Sequence, residues 1–319
     1  MPHSSTILVT GAAGFIGSHV AQALLERGVR VVGVDNFDSY YAKPIKLRNL
    51  REAGLPDADM CDVDITNAAA LASVFDRFKP DGVIHLAAKA GVRPSIADPA
   101  GYMHTNVVGT TLILQNATRV GCSRVVMASS SSVYGNAKQS PFHEELDVSN
   151  PISPYAASKR ACELVAFTHH HLTQLPIASL RFFTVFGPRQ RPDLAIGMFL
   201  KRISQGEPIQ MFGDGSTARD YTFIDDIVQG VLASYDAIPK HGVRTWNLGN
   251  NKPVTLREMI STIERVVGKQ AKIEQKPMQP GDVERTCADI TRSQQELSYQ
   301  PHTSFADGVA KHWEWMRKL

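Results

Sequence analysis

The chain has 319 residues, 43% hydrophobic and 20% charged, and its 34 basic and 31 acidic side chains leave a net charge of +3 at pH 7. Such a length fits one large or two modest domains with buried cores, and the composition is that of an ordinary globular protein. Charges of both signs are interspersed, which argues against nucleic acid or a membrane surface as partner; no apolar run nears the ~20 residues of a bilayer span, and without a basic-then-apolar leader pattern the expected setting is cytoplasmic.

Thr6–Thr10 predicts a short buried strand, because Ile7, Leu8 and Val9 form a continuous apolar run. The segment Gly11-Ala-Ala-Gly14-Phe15-Ile16-Gly17 comes directly after it. Gly11 turns the chain sharply, and Gly14 lets the backbone approach a pyrophosphate. Gly17 permits close packing of the next helix, whose free N–H groups and dipole face the phosphates beside Phe15 and Ile16. That helix carries Val20, Ala23, Leu24 and Leu25 and ends near Gly28, and a second strand runs from Val29 to Asp35. A carboxylate at Asp35, with Asn36 next to it, is placed to accept hydrogen bonds from an adenosine ribose diol and to repel a 2′-phosphate. The cofactor implied is NAD rather than NADP.

Further along, Asp81–Leu86 and Arg124–Ser129 read as strands on either side of a helix over Thr105–Arg119. Pro154 opens a helix over Tyr155–Leu172, and Ala178–Phe183 gives the next strand. This alternation through the first 185 or so residues predicts an α/β fold of Rossmann type, with a doubly wound parallel sheet. After Gly187-Pro188 the pattern changes to turn-rich segments and shorter helices, as in a smaller C-terminal substrate-binding lobe. Tyr221–Ala237 reads as a strand and helix returning to the first sheet. The expected division is residues 1–184 with about 221–250 in the NAD-binding domain, and 185–220 with 251–319 in the smaller lobe. Cys61, Cys122, Cys162 and Cys287 lie far apart without Cys-x-x-Cys spacing and read as reduced thiols, so no metal site is expected. His169-His170-His171 offers no ligand cluster either, because consecutive helical positions diverge.

Tyr155-Ala-Ala-Ser-Lys159 places a phenol and an ammonium at i and i+4, on one face of a helix. Free tyrosine, with a pKa near ~10, is a poor base at neutral pH. A lysine ammonium alongside and a positive nicotinamide ring both favour the phenolate. Ser129 ends the preceding strand, where its hydroxyl is expected to meet a substrate oxygen. Ser129, Tyr155 and Lys159 together imply reversible proton removal from an alcohol coupled to hydride transfer.

Along nearly its whole length the chain resembles the extended short-chain dehydrogenase/reductases that act on nucleotide sugars. The likeness rests on the Gly11–Gly17 turn, Asp35-Asn36, His85-Leu-Ala-Ala88, Asn106, Tyr155-x-x-x-Lys159, Arg181-Phe-Phe-Thr-Val-Phe-Gly-Pro188, Gly213-Asp-Gly215, Arg219-Asp-Tyr221 and Pro280-Gly-Asp282. The resemblance implies a Rossmann domain holding NAD and a second lobe gripping a UDP-sugar. By the same comparison Asp64 and Ile65 match the adenine side, Leu86, Ala87 and Ala88 lie under the dinucleotide, and Asn106 belongs to the cofactor site. Arg219 would pair with the diphosphate and Asp282 would approach the uridine ribose. Many members are homodimers through a four-helix bundle, for which Thr105–Arg119 and Tyr155–Leu172 are the matching helices.

Members of the family diverge once C4 of the sugar has been oxidised. Its 4,6-dehydratases carry an acid–base pair where this chain has Ser131-Ser132, and its UDP-glucuronate decarboxylases carry a glutamate at the position of Ser132. What remains is C4 epimerisation with no net redox change. Thr184 with the later run Arg189-Gln-Arg191-Pro-Asp193 resembles UDP-glucuronate 4-epimerases, whereas UDP-glucose and UDP-N-acetylglucosamine 4-epimerases usually have asparagine at Thr184. A sugar carboxylate wants hydroxyl donors, for which Ser130, Ser131, Ser132 and Thr184 are candidates, and a cation, Arg191 or Arg93. A UDP-hexose epimerase is the alternative; an NAD-dependent alcohol dehydrogenase and a silent nucleotide-sugar binder on the same fold stand behind both.

Overall fold

The central strands of the largest sheet are short, mostly apolar runs buried on both faces, as a parallel sheet flanked by crossover helices requires. The computed structural model describes residues 5–277 and 284–319. It begins β1 (Thr6–Thr10), α1 (Phe15–Glu26), β2 (Arg30–Asp35), α2 (Lys43–Ala53), β3 (Met60–Asp62), α3 (Ala68–Phe78) and β4 (Gly82–His85). Two short helices, α4 (Val92–Ala97) and α5 (Pro99–Met103), lead through a π-turn at His104–Val108 into α6 (Gly109–Val120), β5 (Val125–Ser130), α7 (Pro154–Thr173) and β6 (Ile177–Phe182). Then come β7 (Thr184–Phe186), α8 (Ala195–Gln205), β8 (Pro208–Phe212), β9 (Ala218–Phe223), α9 (Ile224–Ala237), β10 (Val243–Leu248), β11 (Pro253–Thr255), α10 (Leu256–Val267), β12 (Lys272–Lys276), α11 (Thr291–Leu297) and α12 (Phe305–Met316).

Seven strands form the large parallel sheet in the order β10-β6-β5-β4-β1-β2-β3, the doubly wound Rossmann arrangement expected. Strand order reverses between β1 and β4, and ligands of such sheets bind in the crevice beyond the carboxyl ends there. Among the described residues no helix is long and apolar enough to cross a membrane.

Two expectations change. The strand containing Tyr221 does not return to the large sheet. β9 pairs with β7, Tyr221 opposite Thr184, and with β11, Asp220 opposite Pro253. The reason is Asp220: it is buried, and its carboxylate accepts the backbone N–H groups of Asn250, Asn251 and Ala288 at 2.7–3.0 Å. That anchors β9 to the chain beyond β10. The helix does return, since α9 packs against β5, β6 and α1, and of the strands in this stretch β10 joins the large sheet, parallel to β6 with Leu248 opposite Phe182.

The helix over Thr105–Arg119 is interrupted at its start by the π-turn, where Asn106 is buried. Asn106 Oδ1 accepts from Lys89 N at 2.8 Å, while its Nδ2 donates to Lys89 O at 3.0 Å and to Ser158 Oγ at 2.9 Å. The wide turn aims this amide at the loop after β4. At the far end of α7, His169 meets Thr118 Oγ1 and His170 meets Leu175 O, diverging as helical neighbours do.

Among the contacts by which the later elements dock onto the first half are a few polar ones. Glu52 on α2 accepts from Arg189 Nε at 3.1 Å and from the Trp315 indole at 3.0 Å. His19 on α1 donates to Pro188 O at 3.0 Å, and burial together with Arg189 lowers its pKa to about 4, so the ring is neutral.

Candidate active site

A cleft of about 670 Å3 opens beyond the carboxyl ends of β1, β2, β4 and β5 and extends to β7. Its nucleotide end is set by backbone geometry. Gly11 has φ +68°, and a Cβ there would stand 2.8 Å from Ala87 N; one on Gly17 would stand 2.0 Å from Gly11 O. Side chains at either position would push apart the turn and the strand ends it packs against. The N-cap residue of α1, Gly14, offers no side-chain acceptor, and the first turn holds no acid. The helix N-terminus is thus left for an anion, and Gly14, Phe15 and Ile16 border the cleft.

Beneath the turn, Thr10 Oγ1 accepts the amides of Leu86 and Ala87 and meets His85 Nδ1 at 2.7 Å, while His85 Nε2 reaches Thr110 Oγ1 at 3.1 Å. Burial, with Lys159 nearby, lowers the His85 pKa to about 3. The neutral ring therefore ties β1, β4 and α6 together, and Leu86, Ala87 and Ala88 form the cleft floor.

Asp35 closes this end. Its carboxylate accepts from Ala13 N at 3.1 Å and Phe37 N at 2.9 Å, with Lys46 Nζ 4.0 Å away. Burial raises its pKa, opposed by Lys46 and the two amides. Asn36 Nδ2 donates to Asp64 Oδ2 at 2.8 Å, which gathers Asn36, Asp64 and Ile65 at the same end. Lys46 is a wall residue that no motif announces. It comes from α2, and only the packing of that helix carries it to Asp35.

Ser153 caps α7 by accepting from Ala156 N, Pro154 opens the helix, and Tyr155 and Lys159 both face the cleft. Lys159 is buried, and its Nζ donates to Ala128 O at 2.8 Å. The Tyr155 ring stands edge-on to Tyr102, centroids 6.2 Å apart.

Ser129 departs from expectation. It borders the cleft, but its hydroxyl donates to the buried carboxylate of Glu163 at 2.6 Å and is not turned to a substrate oxygen. Successive strand residues point to opposite faces, so its neighbour Ser130 is the serine facing away from Glu163. Ser130 also borders the cleft, and its Oγ lies 2.8 Å from Ser132 Oγ. The expected strand ended at Ser129; β5 in fact runs one residue further.

At the other end, Thr184 and Arg191 both border the cleft. Arg191 lies 3.3 Å from Asp193 Oδ2, donates to Ala90 O at 3.5 Å and covers the Tyr40 ring at 5.1 Å. The remaining expected residues fall elsewhere. Among the described cleft-wall residues, Asn106, Ser131, Ser132, Arg93 and Arg219 are absent. Asn106 instead clamps Lys89 through both of its amide atoms, and Ser131 and Ser132 form the turn after β5, with Ser132 bonded to Ser130. Arg93 covers the Phe212 ring at 5.7 Å. Arg219 donates from Nη1 to Ala218 O and Glu284 O. Asp282 lies outside the described residues. Glu163 is the member sequence reasoning missed, although its place four residues after Lys159 was visible.

The chain is similar to known proteins along nearly its whole length. A family model described as GDP-mannose 4,6 dehydratase matches residues 8–312. The chain belongs to that family of short-chain dehydrogenase/reductases. It is 41% identical over 313 residues to a UDP-glucuronate 4-epimerase of Thermodesulfobacterium geofontis, covering 98% of this chain and 96% of that protein. It superposes with TM-score 0.91 and 35% identity on a Bacillus cereus UDP-glucuronic acid 4-epimerase in complex with UDP-glucuronic acid and NAD, covering 98% and 99% of the two chains. A Thermotoga maritima UDP-glucose 4-epimerase with UDP-glucose gives TM-score 0.89 and 30% identity over 98% and 99%.

Proposed function

We propose that this protein is an NAD-dependent UDP-glucuronate 4-epimerase, interconverting UDP-glucuronate and UDP-galacturonate. One observation carries the reading: Tyr155 and Lys159 share a single cleft with Thr184 and Arg191, and the turn after β5 holds Ser131 and Ser132 in place of the acids that dehydration or decarboxylation needs. The cleft residues fit NAD. The uncapped α1 N-terminus takes the pyrophosphate, Asp35 takes the ribose diol, and its charge disfavours a 2′-phosphate. Bound NAD supplies the hydride acceptor and donor at C4.

Tyr155 takes the proton of the C4 hydroxyl and returns it to the C4 oxygen after the keto sugar has turned its other face, with Lys159 favouring the phenolate. Ser130, rather than Ser129, donates to the C4 oxygen. A 4-keto uronate is a β-keto acid prone to lose carbon dioxide. Thr184 and Arg191 hold its carboxylate by charge-assisted hydrogen bonds, and Ser131 and Ser132 offer no general acid, which suppresses that loss. A UDP-hexose epimerase is the second reading, favoured by the likeness to the Thermotoga maritima UDP-glucose 4-epimerase.

The protein is further read as a cytoplasmic homodimer. Met103, Val108, Leu164 and Phe167, on α5, the π-turn and α7, are 38–60% exposed, apolar surface that a partner copy would cover. The test is to incubate purified protein separately with UDP-glucuronate, UDP-glucose and UDP-N-acetylglucosamine, adding no NAD, and to separate C4 epimers by chromatography. UDP-galacturonate formed fastest from UDP-glucuronate supports the reading. Faster conversion of a neutral sugar, or a requirement for added NAD with release of NADH, overturns it.

A further inference from the structure

Glu163 lies at i+4 from Lys159, one turn along α7, a spacing at which lysine and glutamate on a helix ordinarily pair. Here they do not. Among the described residues Lys159 makes no ion pair, and its hydrogen-bond partner is the neutral carbonyl of Ala128. The Glu163 carboxylate is fully engaged elsewhere. Oε1 accepts from Arg181 Nε at 2.8 Å and from Ser129 Oγ at 2.6 Å, and Oε2 accepts from Arg181 Nη2 at 2.9 Å and Arg160 Nη1 at 3.1 Å. Arg181 sits on β6 directly opposite Ser129 on β5, and both it and Glu163 are buried. The remaining guanidinium nitrogen, Nη1, donates to Tyr134 Oη and Glu144 O.

We infer that the buried Arg181–Glu163 pair is a positioning element for proton transfer, holding the Glu163 charge away from Lys159 so that the ammonium acts on the Tyr155 phenol alone. The inference rests on the reading of Tyr155 as the base, though its test does not require turnover. Were Glu163 not bound by Arg181, its carboxylate would be the nearest anion to Lys159 on the same helix face and would draw the ammonium away from the phenol.

Other groups facing this site leave the role to that pair. His85, from β4, is neutral, and the Cys162 thiol, on α7, is pushed up by burial and stays protonated. Toward Tyr155, α5 presents Tyr102, with Asp98 at its N-cap paired to Lys89, and the loop after β7 presents Arg191, paired to Asp193. The same Glu163 contacts fix Ser129 and so hold Ser130 at the cleft edge.

The test is the tyrosinate absorbance titration of Tyr155, isolated as the difference between each protein and its Tyr155→Phe counterpart. Glu163→Gln removes the anion and leaves Arg181, so Tyr155 ionises at lower pH than in the wild type. Arg181→Gln leaves the Glu163 carboxylate with Arg160 as its one remaining cation among the described residues, so less of its charge is offset and Tyr155 ionises at higher pH. Each displacement is on the order of half a pH unit or more. A residue of merely structural importance has no reason to give opposite signs, so any other pair of signs, or no displacement, overturns the inference. Should Arg181→Gln fail to fold, Glu163→Met combined with Arg181→Met replaces it, since apolar pairs often substitute for buried ion pairs. Titration of that double variant at the wild-type pH supports the inference, and displacement matching Glu163→Gln alone overturns it. Variants that show these displacements, in a wild-type background that epimerises no UDP-sugar, would sink the proposed function and leave this electrostatic arrangement standing.

Discussion

The nucleotide end of the cleft is built from the ends of β1, β2 and β4 with the turns after them, all neighbours in one parallel sheet. The sugar end takes Thr184 and Arg191 from a segment that leaves that sheet after β6 and pairs with β9. At the first end the determinants are backbone conformations, a glycine φ of +68° and a 2.0 Å approach that admits no side chain. At the second they are long side chains held by neighbours, Arg191 against Asp193 and Tyr40. Backbone geometry leaves little room for variation, whereas a guanidinium and a hydroxyl can be exchanged while the scaffold stays put. On the proposed function, the end that takes the cofactor is therefore the fixed part of this protein and the end that takes the sugar the adjustable part.

The largest effect expected lies where the two ends meet. Tyr155→Phe removes the proposed carrier of the C4 proton and lowers turnover by roughly 10³-fold, while NAD still copurifies, because the cofactor end is untouched. Residual epimerisation above a few per cent, measured by chromatography of the sugar products, would remove Tyr155 from the role of base.

Next comes the choice between adjacent serines. Ser130→Ala lowers kcat by about 10²-fold, the usual effect of losing a donor to a developing oxyanion. Ser129→Ala lowers it by less than ~10-fold but reduces stability by about 1.5–3 kcal/mol, since it deletes one hydrogen bond to a buried carboxylate. Side-by-side kinetics and urea unfolding separate the two. Reversed magnitudes would restore Ser129 as the substrate contact.

At the adjustable end, Arg191→Ala and Thr184→Asn change selectivity rather than chemistry. Each lowers the ratio of kcat/KM for UDP-glucuronate over UDP-glucose by roughly ten- to a hundredfold, for a lost charge-assisted hydrogen bond of about 1.5–3 kcal/mol. A ratio left at the wild-type value in both variants would transfer the assignment to the neutral hexose.

The smallest effect concerns acid stability beneath the site. Burial pushes the Glu163 carboxyl up, but Arg181, then Ser129 and Arg160, more than offset this and hold it below the ordinary glutamate value of 4.5. A depressed acid contributes stability that is present above its unfolded pKa and is lost as pH falls through the folded one. The urea midpoint of the wild type should therefore fall further between about pH 5 and about pH 3 than that of the Glu163→Met, Arg181→Met double variant. Equal falls would show that the pair contributes nothing to acid stability.

Local chemistry determined much of this protein in advance. The glycine turn, the acid ending β2 and the Tyr155–Lys159 spacing each depend on residues close in sequence, so a strand–turn–helix reading was enough to place them in a Rossmann fold with an NAD-shaped site. Tertiary structure decided what depends on long-range partners. Whether a strand carrying Tyr221 joined the large sheet turned on where the buried Asp220 found its three amides. Ser129 and Ser130 are alike in sequence, and only the position of Glu163 on α7 decided which hydroxyl was already spoken for. Arg93, Arg191 and Arg219 offer the same cation; their surroundings turned two of them toward Phe212 and backbone carbonyls and left Arg191 on the cleft wall. A side chain's identity fixes what it can bind, but which partner it meets is set by contacts that close only when distant segments pack.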